Sequence, residues 1–327
     1  MPWYDDLVNI NEKKREDMLN MLKQLSKKSL NVAMIMVLSV GVLAACGQKT
    51  DTAQQTPKPA ENSGAAGGTT TQQPAKSETI EGTVTASGSS ALLPLVKAAA
   101  DEFMKNNPKV TINPTAGGSG KGLKDVADGT SNIGNSDIEA GPEYKDKGLV
   151  DHVVAIAPFA LIVNKDVTID NLTKAQATDI FTGKIKNWKE VGGPDKNIVV
   201  VHRPDSSGSR ALVKKIVLDG QEFTKDGVTQ ESSGAMATTV GQTPGAIGYV
   251  DTPYVKDPIK ALKFEGVEFS KDNIKGGKYP LYGVEHMYTK GEPTGATKAF
   301  LDFIMSPEFQ GKRVEELKFL PADLLKK

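Results

Sequence analysis

One cysteine, three histidines and two tryptophans in 327 residues leave little material for several common chemistries. The lone Cys46 excludes a disulfide within the chain. His152, His202 and His286 stand singly, without metal-ligand spacing, and no paired-carboxylate or zinc pattern accompanies them. His202 beside Arg203 reads first as a packing or surface residue. Charge of either sign is not in excess: 40 Lys plus Arg face 40 Asp plus Glu, and the balance stays near neutral when residues 1–45 are set aside. That argues against a nucleic-acid binder, which needs a basic face. It leaves room for a small anion site, because two arginines and aligned N–H groups set a local field. Trp188 and the tyrosines are too scattered for a sugar-stacking platform. No run of apolar residues reaches the roughly 20 of a comfortable transmembrane helix. No repeat recurs at a fixed period. A nucleotide-binding Walker loop would need glycine where the chain has Thr115 and Ser or Thr where it has Gly122. A nucleophile elbow would need glycine in place of Lys121.

What is present begins with an export pattern. Lys23, Lys27 and Lys28 precede an apolar run from Val32 to Ala45, broken only by Ser39 and Gly41. A basic flank, a short apolar core and small residues before a cleavage point describe a secretory signal over residues 1–45. Its end, Leu43-Ala44-Ala45-Cys46-Gly47, resembles a bacterial lipobox, which implies lipidation of Cys46 and an anchor in the membrane. The acidic Asp5, Asp6, Glu12, Glu16 and Asp17 sit poorly in such a signal, and Met18 or Met21 would make a more ordinary start. Residues 46–79 then form a flexible tether. Gln, Thr, Pro, Ala, Ser and Gly dominate it, and Ile80 is the first large aliphatic residue after Leu43.

The folded body therefore starts near residue 80. Strand-like segments are expected at 79–85, 110–112, 153–163, 198–201, 246–250 and 282–288. Helix-like segments are expected at 90–106, 120–127, 174–181, 209–218 and 294–305, with 307–325 largely helical. This alternation predicts an α/β fold with largely parallel sheets and helices on their faces. The run Val153 to Val163 is too long for one ordinary strand, and Pro158 cannot occupy a central ladder position. Either the strand leaves one domain and enters a second near Pro158, or it is a single curved strand with a bulge. Two lobes would bring the loops at their strand ends face to face.

Three segments share one grammar of strand, Gly/Ser turn and helix start: Ala86 to Ala91, Ala116 to Gly122, and Asp205 to Arg210. Each alone reads as a helix cap. Together they form the recipe for an oxyanion site, because sheet geometry gathers such loops at the carboxyl ends of strands. Arg203 and Arg210 bracket the third segment with fixed charge. Asp137, ending Asn132-Ile133-Gly134-Asn135-Ser136-Asp137, taken alone is a cap or a surface charge. Inside an anion site it has a sharper meaning. It can accept the proton of a monohydrogen or dihydrogen phosphate, whereas sulfate has no proton to give and meets like charge.

These motifs resemble the phosphate-binding lipoproteins of bacterial high-affinity phosphate ABC transporters, a family of periplasmic-type solute receptors. The resemblance spans about residues 80–325. It is carried by SGSSALLP (Ser87–Pro94), AGGSGKG (Ala116–Gly122), IGNSD (Ile133–Asp137), FTGKIKNW (Phe181–Trp188), RPDSSGSR (Arg203–Arg210) and PGAIGYV (Pro244–Val250). The lipobox and tether suit a Gram-positive member. The resemblance implies a two-lobed, type II binding-protein fold, with each lobe a mainly parallel sheet flanked by helices. Lobe 1 would take residues 80–158 and 279–327, and lobe 2 residues 159–278. It further implies that phosphate is held by the Ser90 hydroxyl, the Ala91 N–H, Ser119, Asp137 as proton acceptor, Arg203, and the Ser207-Gly208-Ser209 turn, with Arg210 nearer the rim. Tyr279 to Tyr288 departs from the family pattern, since many relatives carry an arginine near Val284; this bears on the hinge more than on the ligand.

The expectation is thus a monomeric, lipid-anchored receptor on the outer face of the membrane. It would bind inorganic phosphate without metal or cofactor and deliver it to an ABC permease. The alternatives are a receptor for sulfate or molybdate, a phosphate-ester hydrolase on the same scaffold, and a non-transport surface or sensory protein.

Overall fold

The computed structural model describes residues 80–326, so the expected signal, Cys46 and the tether lie outside the described residues. In chain order the strands are β1 (Gly82–Gly88), β2 (Val110–Ala116), β3 (Ile133–Ser136), β4 (Leu149–Asn164), β5 (Asn171–Leu172), β6 (Val199–His202), β7 (Val228–Thr229), β8 (Ala246–Asp251), β9 (Ile259–Ala261), β10 (Lys263–Phe264) and β11 (Tyr282–Lys290). The helices are α1 (Leu93–Asn106), α2 (Ser119–Asp128), α3 (Lys174–Phe181), α4 (Gly208–Ile216), α5 (Ser233–Gln242), α6 (Lys271–Lys275), α7 (Gly295–Ile304) and the short α8 (Val314–Glu316).

The main sheet runs β2-β1-β3-β11-β4-β8-β6-β7, with β9 also paired to β4; β10 and β5 form a separate pair. Its outer portions are parallel: β1 with β2 and β3, and β6 with β7 and β8. Its centre is antiparallel: β11 against β3 and β4, and β4 against β8. The strand β4 serves both portions. Leu149 to Pro158 pairs with β11, and Phe159 to Val163 pairs with β8. Pro158, which has no N–H to give, stands where one partner gives way to the next. Phe159 N–H donates to Leu281 O (2.8 Å) at that point. From Val154 onward every residue of β4 is buried, which explains the continuous apolar run in place of an alternating one.

Helices cover the sheet by ordinary amphipathic logic. Pro94 starts α1, which buries Leu95, Val96, Ala99, Ala100 and Phe103, and Phe103 meets Phe300 of α7 edge to face at 5.6 Å. The predicted helix at 174–181 matches α3, whose Thr173 and Gln176 complete a capping box. Several segments differ from the sequence reading, among them β3, which was not expected as a strand, and the three that follow. The strand predicted over 79–85 is β1, and it continues to Gly88 because β2 and β3 both pair with it that far. Helix α5 was not predicted: Gly234, Gly241, Thr238, Thr239 and Val240 give it poor helix propensity, and its start depends on the Ser232 cap. The expected long helix over 307–325 extends only through a π-helical turn (Phe309–Arg313) and α8. Lys318 then turns left-handed and Leu320 bonds to Ile156 of β4 in both directions, so pairing with the sheet ends the helix.

Candidate binding site

The carboxyl ends of β1, β3, β6 and β8 converge with the starts of α2, α4 and α5. Close backbone approach makes this possible. Gly88, at φ +131°, lies so near β3 and α2 that an added Cβ would overlap the Asn135 carbonyl oxygen and come within 2.8 Å of Gly122 Cα. Ser89 N–H donates to Asn135 O (2.9 Å) and ties the loop after β1 to the end of β3.

Asp137 is buried at the centre. Its Oδ1 accepts from the Ser89 hydroxyl and its Oδ2 from the Ser209 hydroxyl at 2.7 Å. Its own N–H donates to Ser119 Oγ at 3.0 Å. A Cβ at Gly208 would stand 3.0 Å from Asp137 Cβ and overlap Ser119 Oγ, so glycine is what lets α4 start here. Ser90 joins the other wall: its Oγ is 3.1 Å from Ser233 Oγ and accepts from Ser233 N–H at 3.0 Å. Tyr254 donates to Ser90 O at 2.8 Å. Ala91 is wholly buried in the turn before α1.

Arg203, at the end of β6, is 2% exposed. Its guanidinium donates to Glu231 O at 2.9 Å and to Ser233 Oγ at 3.3 Å, while Nε has no partner among the described residues. Burial presses its pKa down, opposed chiefly by the nearby Asp137. The result is a buried cation with donor capacity to spare, beside a carboxylate and several hydroxyls. That set suits a compact oxyanion which itself carries a proton.

The structure brings Ser90, Ala91, Ser119, Asp137, Arg203, Ser207, Gly208 and Ser209 into one region. The Ser207 side chain caps α4 by accepting from Arg210 N–H at 3.2 Å, which leaves its hydroxyl proton as the available donor. The first-turn N–H groups of Gly208 and Ser209 have no intrahelical carbonyl to use. Arg210 faces elsewhere: it pairs with Asp205 (3.0 Å) and stacks over Phe223 (4.3 Å). His202 is half-buried beside Phe223, and burial lowers its pKa, consistent with packing.

Four neighbours were not picked out from the sequence: Ser89, Ser233, Asp251 and Glu285. Ser89 sits in the motif that pointed to Ser90, one residue early. Ser233 was missed along with its helix. Asp251 and Glu285 are wholly buried, and their carboxyl oxygens have no hydrogen-bond partner among the described residues. Burial, then the charge of Asp137, raises both pKa values well above the carboxylate range. Glu285 lies in the Tyr279–Tyr288 segment, next to Val284. The outer side of Asp137 also borders a cavity of about 600 Å³ shared with Leu212, Tyr282, Val284 and His286. Among the described residues no group of three His, Cys, Asp or Glu side chains is arranged to hold a metal ion.

Comparison with known proteins agrees with this architecture. The family model of the PBP superfamily domain matches residues 65–308. A phosphate-binding protein PstS of Bacillus subtilis is 41% identical over 92% of this chain and 97% of its own length. The chain belongs to the phosphate-binding protein family of the PBP superfamily. A putative phosphate ABC transporter substrate-binding protein from Clostridium perfringens, solved with bound phosphate, is 35% identical with a TM-score of 0.70, covering 73% of this chain and 99% of that one. An ABC-type phosphate transport receptor from Vibrio cholerae is 25% identical with a TM-score of 0.60, covering 72% and 99%. The family's fold is two-lobed, and in this member the two portions of the main sheet share β4. Among the described residues no helix is long and apolar enough to cross a membrane.

Proposed function

We propose that this chain is an extracellular receptor that binds inorganic phosphate with high affinity and delivers it to an ABC-type permease. The observation that carries the reading is the pairing of Asp137 with two serine hydroxyls, within the field of the buried Arg203. The hydroxyls hold Asp137 as an acceptor, and an acceptor in an anion site favours an anion with a proton. Sulfate at neutral pH has none. The names of the Bacillus, Clostridium and Vibrio relatives support the same ligand and the same transport role.

In this reading Ser90, Ala91, Ser119, Ser207, Gly208 and Ser209 supply hydroxyl and N–H donors, Arg203 supplies charge, and Asp137 reads the proton. Lobe 1 takes residues 80–158 and 279–327 and lobe 2 residues 159–278, so closure about β4 brings the two sets of donors onto the ligand. Cys46 carries the lipid anchor, the tether spaces the body from the membrane, and the receptor works as a monomer without turnover. Isothermal titration with phosphate and with sulfate tests the reading. Tight phosphate binding with sulfate at least about 100-fold weaker is expected; no phosphate binding, or equal binding of both, overturns it. A turnover assay on a generic phosphate ester should stay at background.

A further inference from the structure

Both oxygens of Asp137 accept hydroxyl protons, from Ser89 and Ser209, and the residue stands in the field of Arg203. Glu285 has none of these supports. It is wholly buried, neither of its oxygens has a hydrogen-bond partner among the described residues, and it lies on β11 one step beyond the His286–Ser136 pair, which sets it beside Asp137. His286, the next residue, turns away to Asp151 at 2.9 Å and offers Glu285 nothing. The charged groups around Glu285 are therefore Asp137 and Asp251, both carboxyls.

Two neighbouring carboxyls in a buried site do not readily both ionise; they share a proton as a pair. The proton goes to the member whose ionised form is less well supported. A Glu285 that holds it has one O–H to donate, and the acceptor beside it is Asp137. We propose that Glu285 is a positioning residue for phosphate recognition: a neutral carboxylic acid that donates a hydrogen bond to Asp137 and keeps Asp137 an ionised acceptor. This rests on the phosphate-receptor reading and adds a residue to it. Without the third donor, the Asp137 carboxylate is less firmly held as an acceptor, and its preference for a proton-bearing anion over sulfate weakens. Glu285 thereby governs selectivity without touching the ligand.

The test uses the wild-type chain with Glu285→Gln, which keeps a neutral donor, and Glu285→Leu, which removes it. Titrations with phosphate and sulfate give the ratio of the two affinities. Loss of about 10-fold or more in that ratio is expected for E285L, with most of it restored in E285Q. Equal ratios in wild type and E285L, or the same loss in both variants, would overturn the proposal. Infrared difference spectroscopy between wild type and E285Q supplies a readout independent of the ligand. At about pH 7 the wild type should show the carbonyl band of a protonated carboxylic acid that E285Q lacks; absence of that band overturns the proposal. If the wild type binds no phosphate, the receptor reading fails by itself, and the infrared band still decides where the proton is.

Discussion

At the scale of single residues, the site is a problem of charge placement. One buried guanidinium, Arg203, stands near the buried carboxyls of Asp137 and Asp251, and a third buried carboxyl, Glu285, lies beside Asp137. Removing Arg203 leaves the carboxyls and any bound anion without their cation, so Arg203→Ala should weaken phosphate and sulfate together, by about 2–5 kcal/mol in a titration. The carboxyls have a second consequence. A carboxyl whose folded-state pKa is raised retains its proton in the native state above about pH 4.3, where the unfolded chain has released it. The native state then binds more protons than the unfolded state, and stability falls as pH rises from that point to the folded-state pKa. Glu285→Gln removes one such proton. From about one pH unit above 4.3, and below the folded-state pKa, wild type should therefore lose about 1.4 kcal/mol per pH unit relative to E285Q, measured by urea unfolding. Parallel pH profiles would contradict it. Arg203 and Asp137 were legible in the sequence because Arg203 opens one recognisable motif and Asp137 ends another. Glu285 was not, since a single acid within an apolar strand gives no sign that it meets Asp137 only through the β3–β11 pairing.

At the scale of elements, the strand-end loops work because backbones touch. An added Cβ at Gly88 would overlap the Asn135 carbonyl and force a residue with a side chain to hold φ +131°. Gly88→Ala should cost about 3 kcal/mol or more and displace β3, which carries Asp137; thermal unfolding and phosphate titration should both register it. Adjacent serines at the start of α5 separate two roles. Ser232 caps the helix by accepting from Ala235 N–H at 3.2 Å, and Ser233 meets Arg203 and Ser90. Ser232→Ala should lower stability by about 1 kcal/mol with little change in affinity, and Ser233→Ala should lower affinity about 5-fold or more. The reverse assignment would count against the site as described. Helices with a clear apolar face behind a proline start, such as α1, or with a capping box, such as α3, could be read from the chain. Helix α5 could not, because packing against β8 overrides its weak propensity.

At the scale of the whole molecule, the α/β alternation and the long β4 run pointed to two lobes, and Pro158 stands where β4 changes partners. The antiparallel centre, β11-β4-β8, was not visible, because β11 comes from the far end of the chain and nothing in its sequence names its partners. That return is what brings Glu285 to Asp137. The central claim is that this two-lobed molecule recognises phosphate by its proton through Asp137. The most direct measurement is the ratio of phosphate to sulfate affinity in wild type and Asp137→Asn, by calorimetric titration at neutral pH. The amide offers a donor to either anion, so the ratio should fall by about 10-fold or more, chiefly because sulfate gains. An unchanged ratio in D137N, with phosphate still bound, would contradict the account.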